Sequence, residues 1–296
     1  MDPVVFALVA GAAVLHVTWN VLLKTAGDPL RAAAIGMATA AALICPVAVI
    51  AWLATGRPAI PGSSLILGVV SGVLEAAYFA FLAAAYRRGD LSLVYPLARG
   101  TAPLLAVAAG TLILGERLGP LGFAGVAALL VGILALQRPW QYVRAAGRAS
   151  GGAAGFALLT GVTIAGYSAV DSSAVKGMTP VTYAGLIWAS CTVFLWAYVW
   201  LYRRSGGIVL AAGDARFSAR RAGGGGLITL GAYLMILGAF AVAPLTAVAP
   251  LRESAIVLAS GWGALRMREA DDRRDAARRL GAAALVLIGA LLLAVD

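Results

Sequence analysis

Residues 222–265, AGGGGLITLGAYLMILGAFAVAPLTAVAPLRESAIVLASGWGAL, decide the fold. Only Arg252 and Glu253 interrupt their apolar character, over a length about twice the roughly 20 residues that one helix needs to cross a bilayer. Pro244 stands at the middle, where it withholds a backbone donor and clashes with the preceding turn. The stretch therefore reads as two helices meeting at a tight turn. Outward from it, charges cut the remaining chain into apolar runs near 3–23, 32–56, 58–86, 91–115, 118–137, 149–175, 177–202 and 280–295. Nine runs make ten spans.

Composition supports this reading. Of 296 residues, 61% are hydrophobic and 12% charged, whereas soluble domains carry about 25% charged residues. A water-soluble fold is excluded. In hydrocarbon only helices or a closed barrel satisfy every backbone group, and long unbroken runs are not the short alternating segments of a barrel. The first run, from Val4 to Leu23, has no basic stretch before it and is too long for a signal-peptide core, so it is expected to be a retained helix. Cys45 and Cys191, each inside an apolar run, propose neither a disulfide framework nor a metal site, and no cofactor is expected.

The formal charge of +10 is a matter of topology, not of nucleic-acid binding. Loops that follow odd-numbered spans hold 18 of the 23 Lys and Arg, and those that follow even-numbered spans hold Arg57, Arg117 and Lys176. Arg99 and Arg252 lie inside spans. By the positive-inside rule the odd loops face the cytoplasm and both termini lie outside. The basic segments 203–221 and 266–279 read as membrane anchoring, with the lipid bilayer and no nucleic acid as partner.

The chain also repeats itself. His16-Val-Thr-Trp-Asn-Val-Leu-Leu-Lys24 parallels Ser168-Ala-Val-Asp-Ser-Ser-Ala-Val-Lys176, Tyr95-Pro96-Leu97 parallels Ala249-Pro250-Leu251, and Glu116 parallels Glu269. The offsets are 152, 154 and 153 residues. Five spans per half is an odd number, so the second half enters the membrane the opposite way round. The expected fold is an all-α membrane protein of ten transmembrane helices built as two inverted five-helix repeats, over 1–140 and 150–296.

These residues carry a family resemblance. His16-Val-Thr-Trp-Asn-Val-Leu-Leu-Lys, Val94-Tyr-Pro-Leu-Ala-Arg-Gly-Thr-Ala-Pro-Leu-Leu, Leu114-Gly-Glu-Arg-Leu and Ala249-Pro-Leu-Arg-Glu-Ser resemble the drug/metabolite transporter superfamily, specifically its EamA-like ten-helix members. The resemblance implies an inverted repeat around a central cavity, working by alternating access on small polar compounds such as amino acids or amines. It further implies export of an amino acid or related metabolite, in the inner or plasma membrane.

Charged groups inside spans are costly, and each carries a functional hypothesis. Glu75 lies at the middle of the third span, with Tyr78 and Phe79 on the same face. It is read either as the site of a proton or substrate amine, or as a fixed ion pair with Arg99 or Arg252. Those two arginines follow the paired prolines from opposite faces and are read as a carboxylate clamp or as snorkelling structural groups, with Glu253 beside Arg252. His16, Trp19 and Asn20 share a face of the first span; the single histidine rules out a multi-histidine metal site and leaves proton relay or hydrogen bonding. Tyr95, Tyr167, Asp171 and Tyr233 complete the candidate binding set. With Glu75 and Tyr78 they suit an alkylammonium held by acidic and aromatic groups. Trp188 and Trp262 are further aromatics at depth.

Function is thus expected to be secondary transport of a small solute, with proton coupling, by a monomer or homodimer. Uptake or exchange of an amine or quaternary ammonium is the second reading, and a scaffold or lipid scramblase the third. An enzyme would need a nucleophile with a base, or a metal cluster, and neither is present in the sequence. Orientation is directly testable. A cysteine replacing Ser218 is expected to be protected from an impermeant thiol reagent in intact cells, and labelling there would reverse the topology.

Overall fold

The computed structural model describes residues 2–24, 28–88, 91–137, 152–205, 218–252 and 273–295, with no strand among them. In chain order the helices are α1 (Pro3–Lys24), α2 (Pro29–Ala54), α3 (Gly62–Arg88), α4 (Leu91–Leu112), α5 (Pro120–Gln137), α6 (Ala153–Ala174), α7 (Pro180–Arg204), α8 (Ala219–Val242), α9 (245–252) and α10 (Arg273–Val295). Five segments are long and apolar enough to cross a membrane: Pro29–Ala54, Gly62–Tyr86, Ala153–Gly177, Pro180–Arg204 and Ala219–Val242. Shorter apolar stretches lie within α1, α4, α5 and α10.

Local chemistry explains the boundaries. After α8, Ala243 is extended at φ −136° and ψ 153°, the conformation that a following proline imposes, and helix resumes at Leu245. The tight turn expected at Pro244 is therefore present. Asp28 caps α2 by accepting from Arg31 N at 3.0 Å, and Thr179 caps α7 by accepting from Thr182 N at 3.2 Å. A proline follows each cap at the first helical position, where its missing N–H costs nothing.

The principal packing pairs are α1 on α8, α3 on α6, α2 on α7, α5 on α10, α4 on α6, α3 on α7 and α2 on α8. Contacts at both ends of the bundle join the first half of the chain to the second. Arg88 at the end of α3 lies over the Phe156 ring at the start of α6, 4.6 Å from its centroid. At the opposite ends, the Glu116 carboxylate after α4 accepts from Leu245 N and Thr246 N, both at 2.8 Å, and so caps α9. Glu269, its sequence counterpart, lies outside the described residues.

Polarity is arranged inside out. Val69, Val73, Val193, Phe194, Leu287 and Leu291 are exposed on outer faces, whereas Glu75, Arg99 and Asp171 are buried. This is the distribution expected of a bundle whose solvent is hydrocarbon, not water.

The crossing of α2 and α8 admits no side chain at its centre. A Cβ added to Gly226 would stand 2.1 Å from Gly36 O, so both glycines are there for backbone approach. At Gly224, two residues away, a Cβ meets nothing within 4 Å. Gly226→Ala is expected to destabilise the detergent-purified protein by about 1–3 kcal/mol through overpacking. Gly224→Ala should leave the thermal midpoint unchanged or slightly raised. Equal effects from the two substitutions would contradict the close crossing.

Candidate functional site

Glu75, at the middle of α3, is 5% exposed, and the residues around it come from eight helices. Helix α1 supplies Ala12, Ala13, His16 and Trp19 to the cavity wall; α2 supplies Met37; α3 adds Tyr78 and Phe79; α4 gives Arg99. From the second half, α6 gives Tyr167, α7 gives Trp188, α8 gives Thr229, Ala232, Tyr233 and Ile236, and α9 gives Arg252. No described residue of α5 or α10 lines it. The cavity admits the centres of water-sized molecules over about 50 Å³, several times the ~10–15 Å³ that one water requires.

The wall is largely aromatic. Trp19 meets Phe79 edge-on at 6.4 Å between centroids, Phe79 meets Tyr78 at 4.8 Å, and Tyr78 meets Tyr167 at 6.1 Å. Tyr167 continues to Tyr233 at 6.1 Å, and Tyr233 to Trp188 at 4.9 Å. Six rings thus form one continuous arc crossing from the first half to the second. Ring edges and faces in such an arc offer both apolar area and a negative quadrupole to a bound solute.

Two guanidiniums enter this wall on opposite sides of the sequence duplication. Arg99 contacts His16 through Nη2 and Nε2, and Arg252 donates through Nη1 to Ser168 Oγ at 3.3 Å. Asp171 is placed differently from the expectation that grouped it with the binding residues. It is fully buried behind the wall, accepting from Tyr183 OH at 2.8 Å and from Tyr233 OH, and it does not line the cavity. Its carboxylate fixes the Tyr233 ring. The same hydroxyl of Tyr233 lies beside Glu75, so this tyrosine stands between the two acids.

Of the residues expected from sequence, the structure brings His16, Trp19, Glu75, Tyr78, Arg99, Tyr167, Tyr233 and Arg252 to one cavity. Tyr95 and Asn20 lie on α4 and α1, but their side chains, like the whole of Glu253 and Trp262, lie outside the described residues. Sequence reasoning did not place Met37, Trp188 or Thr229 in the site. A signal for them exists. Asp28 and Thr179 set a register of 151 residues that pairs Met37 with Trp188, and the register of 154 pairs Glu75, Tyr78 and Phe79 with Thr229, Ala232 and Tyr233. A lining residue in one half thus points to its partner in the other.

Comparison with known proteins adds three findings. Residues 4–137 match the EamA-like transporter family. A segment of 70 residues, 24% of this chain, is 37% identical to the spermidine export protein MdtI of Salmonella arizonae and spans 64% of that protein. A protein of known crystal structure superposes with a TM-score of 0.68 at 17% identity, covering 98% of each chain, which establishes likeness of fold.

The buried acid gives a test of this geometry. Asp171→Ala leaves the hydroxyls of Tyr183 and Tyr233 without their acceptor and is expected to cost about 3 kcal/mol, read as a lowered denaturation midpoint. The near-isosteric Asp171→Asn, which keeps one acceptor oxygen, should cost about 1 kcal/mol. Stability unchanged by Asp171→Ala would remove the hydroxyl–carboxylate cluster from the account.

Proposed function

We propose, from the match of residues 4–137 to the EamA-like transporter family, that this multi-pass membrane protein is a secondary transporter that exports a small polar metabolite, an amino acid or a related compound, by alternating access. Ten spans form two inverted halves, 1–140 and 150–296, in the inner or plasma membrane, with both termini outside. A gradient, not nucleotide hydrolysis, supplies the energy.

The observation that carries this reading is the composition of the cavity wall. Each half contributes four helices, α1 to α4 and α6 to α9, at corresponding positions of the sequence repeat. The packing supports the same relation. Exchanging the halves turns α1 on α8 into α6 on α3 and α3 on α7 into α8 on α2, and returns α2 on α7 and α5 on α10 to themselves. A cavity between two such halves is open to opposite faces in turn when one half rocks against the other.

A second reading, movement of an amine, is favoured by Glu75 within the arc of six rings and by the likeness to a spermidine exporter. Counterflow in proteoliposomes separates the two. Glu75→Gln is expected to reduce exchange of the substrate at least tenfold in a panel of amino acids and amines. Loss confined to amines, with neutral amino acids handled normally, would select the amine reading. Indifference of every solute to the substitution would remove Glu75 from the site.

A further inference from the structure

The two arginines of the cavity wall make parallel contacts with unlike partners. Arg99 and Arg252 are 153 residues apart, and their partners His16 and Ser168 are 152 apart. Each half therefore places a guanidinium of its fourth helix against a side chain at the same position of its first helix. In the second half that side chain is a hydroxyl, which stays neutral. In the first it is an imidazole, which can take a proton.

Guanidinium groups have donors and no acceptor. In contact with Arg99, Nε2 of His16 is therefore the acceptor and carries no proton. The wall as a whole is rich in donors. Among the described residues, Arg99 and Arg252 share the wall with one lining carboxylate, that of Glu75. An ammonium placed beside a guanidinium is repelled, and the more so in a low-dielectric interior. A carboxylate at the same place is attracted, and can take two parallel hydrogen bonds from Arg99.

We propose that Arg99 and His16 form a carboxylate subsite in the cavity, where a solute carboxylate replaces His16 as the acceptor of Arg99 and His16 takes up one proton in the same event. The proposal rests on the transport reading above and adds to it the chemical class of the solute and the identity of the proton-binding group. Arg99 is the binding residue; His16 positions it and keeps the empty subsite satisfied. Before the anion arrives, a proton on His16 would set two cations against each other. Afterwards the carboxylate lies between them and an imidazolium becomes a second donor to it. Anion and proton therefore bind with positive coupling. Among the described residues, the other titratable or charged groups in this wall are Glu75 and Tyr78 from α3, Tyr167 from α6, Tyr233 from α8 and Arg252 from α9, with Asp171 behind Tyr233. Helices α2 and α7 present Met37 and Trp188, which do not titrate.

The test is isothermal titration of the full chain in nanodiscs, against empty nanodiscs, with three probes of one phenyl body: 3-phenylpropionate, 3-phenylpropionamide and phenethylamine. The carboxylate is expected to bind at least tenfold more tightly than the amide at pH 6, and phenethylamine more weakly than either. Carboxylate affinity should rise as pH falls from 8 to 6, towards tenfold per pH unit, the limit for one proton taken up per anion. His16→Gln retains an acceptor for Arg99 but takes no proton, so it should keep the carboxylate preference and lose the pH dependence. Equal affinity for carboxylate and amide, a preference for phenethylamine, or a pH slope that survives His16→Gln overturns the subsite. None of these results touches the transport reading, which is judged by counterflow of the metabolite panel. Absence of binding by all three probes overturns the subsite as well, and the transport reading falls only if counterflow is also absent. The selectivity and pH slope of the unaltered protein are decisive by themselves, so a variant that fails to fold does not shelter the proposal.

Discussion

A guanidinium inside a helix bundle that is itself surrounded by hydrocarbon must be given acceptors by the protein, because no water layer on the outer surface can supply them. That constraint organises the centre of this molecule. Arg99, Glu75 and Asp171 are all buried, and each sits where several helices converge. The contact of Arg99 with His16 ties α4 to α1, that of Arg252 with Ser168 ties α9 to α6, and the Asp171 carboxylate gathers hydroxyls from α7 and α8. Outside this polar centre the helices can approach one another through apolar and small residues. At the crossing of α2 and α8 the approach is so close that Gly36 and Gly226 leave no room for a Cβ.

The same constraint separates support from site. Asp171 is satisfied by two hydroxyls and turned away from the cavity, so its charge is spent in holding Tyr233 in place. Glu75, Arg99, Arg252 and His16 instead face a cavity walled by six aromatic rings. Polar groups at that depth, held in position and yet open to an internal space, are the arrangement a transporter needs to receive a solute that has left water behind. A similar division holds between elements. Helices α1 to α4 and α6 to α9 wall the cavity, whereas α5 and α10 pack on each other and build a second apolar cluster of Val126, Leu129, Ile133, Ala282, Val286 and Leu293.

Likeness to a spermidine exporter over 70 residues sits beside a wall that carries two guanidiniums. The match of residues 4–137 to the EamA-like family bears on the scaffold, while the charges of this particular cavity bear on the solute. The guanidiniums of Arg99 and Arg252 in the wall are the observation from which a carboxylate, and not a polycation, is inferred as the solute.

How much was legible in the sequence follows from the range of the forces involved. Span number, the turn at Pro244 and the run of odd and even loops are set by local hydropathy, by proline and by charge, each of which acts within one stretch of chain. The intramembrane charges Glu75, Arg99 and Arg252 could be singled out because burying a charge is costly anywhere in a span. Which way a side chain points is not local. Asp171 and Glu75 look alike in sequence, and only the packing of α6 against α3, with Tyr183 and Tyr233 reaching in from α7 and α8, sends one behind the wall and leaves the other in it. Met37 and Trp188 carried no charge to mark them, and the role of Glu116 as the cap of α9 joins residues about 130 positions apart. The sequence by itself marked out the long apolar helical segments and the few charges lying within them. Tertiary structure alone decided which of those charges face each other across a common cavity, since that depends on helices distant in the chain meeting side by side.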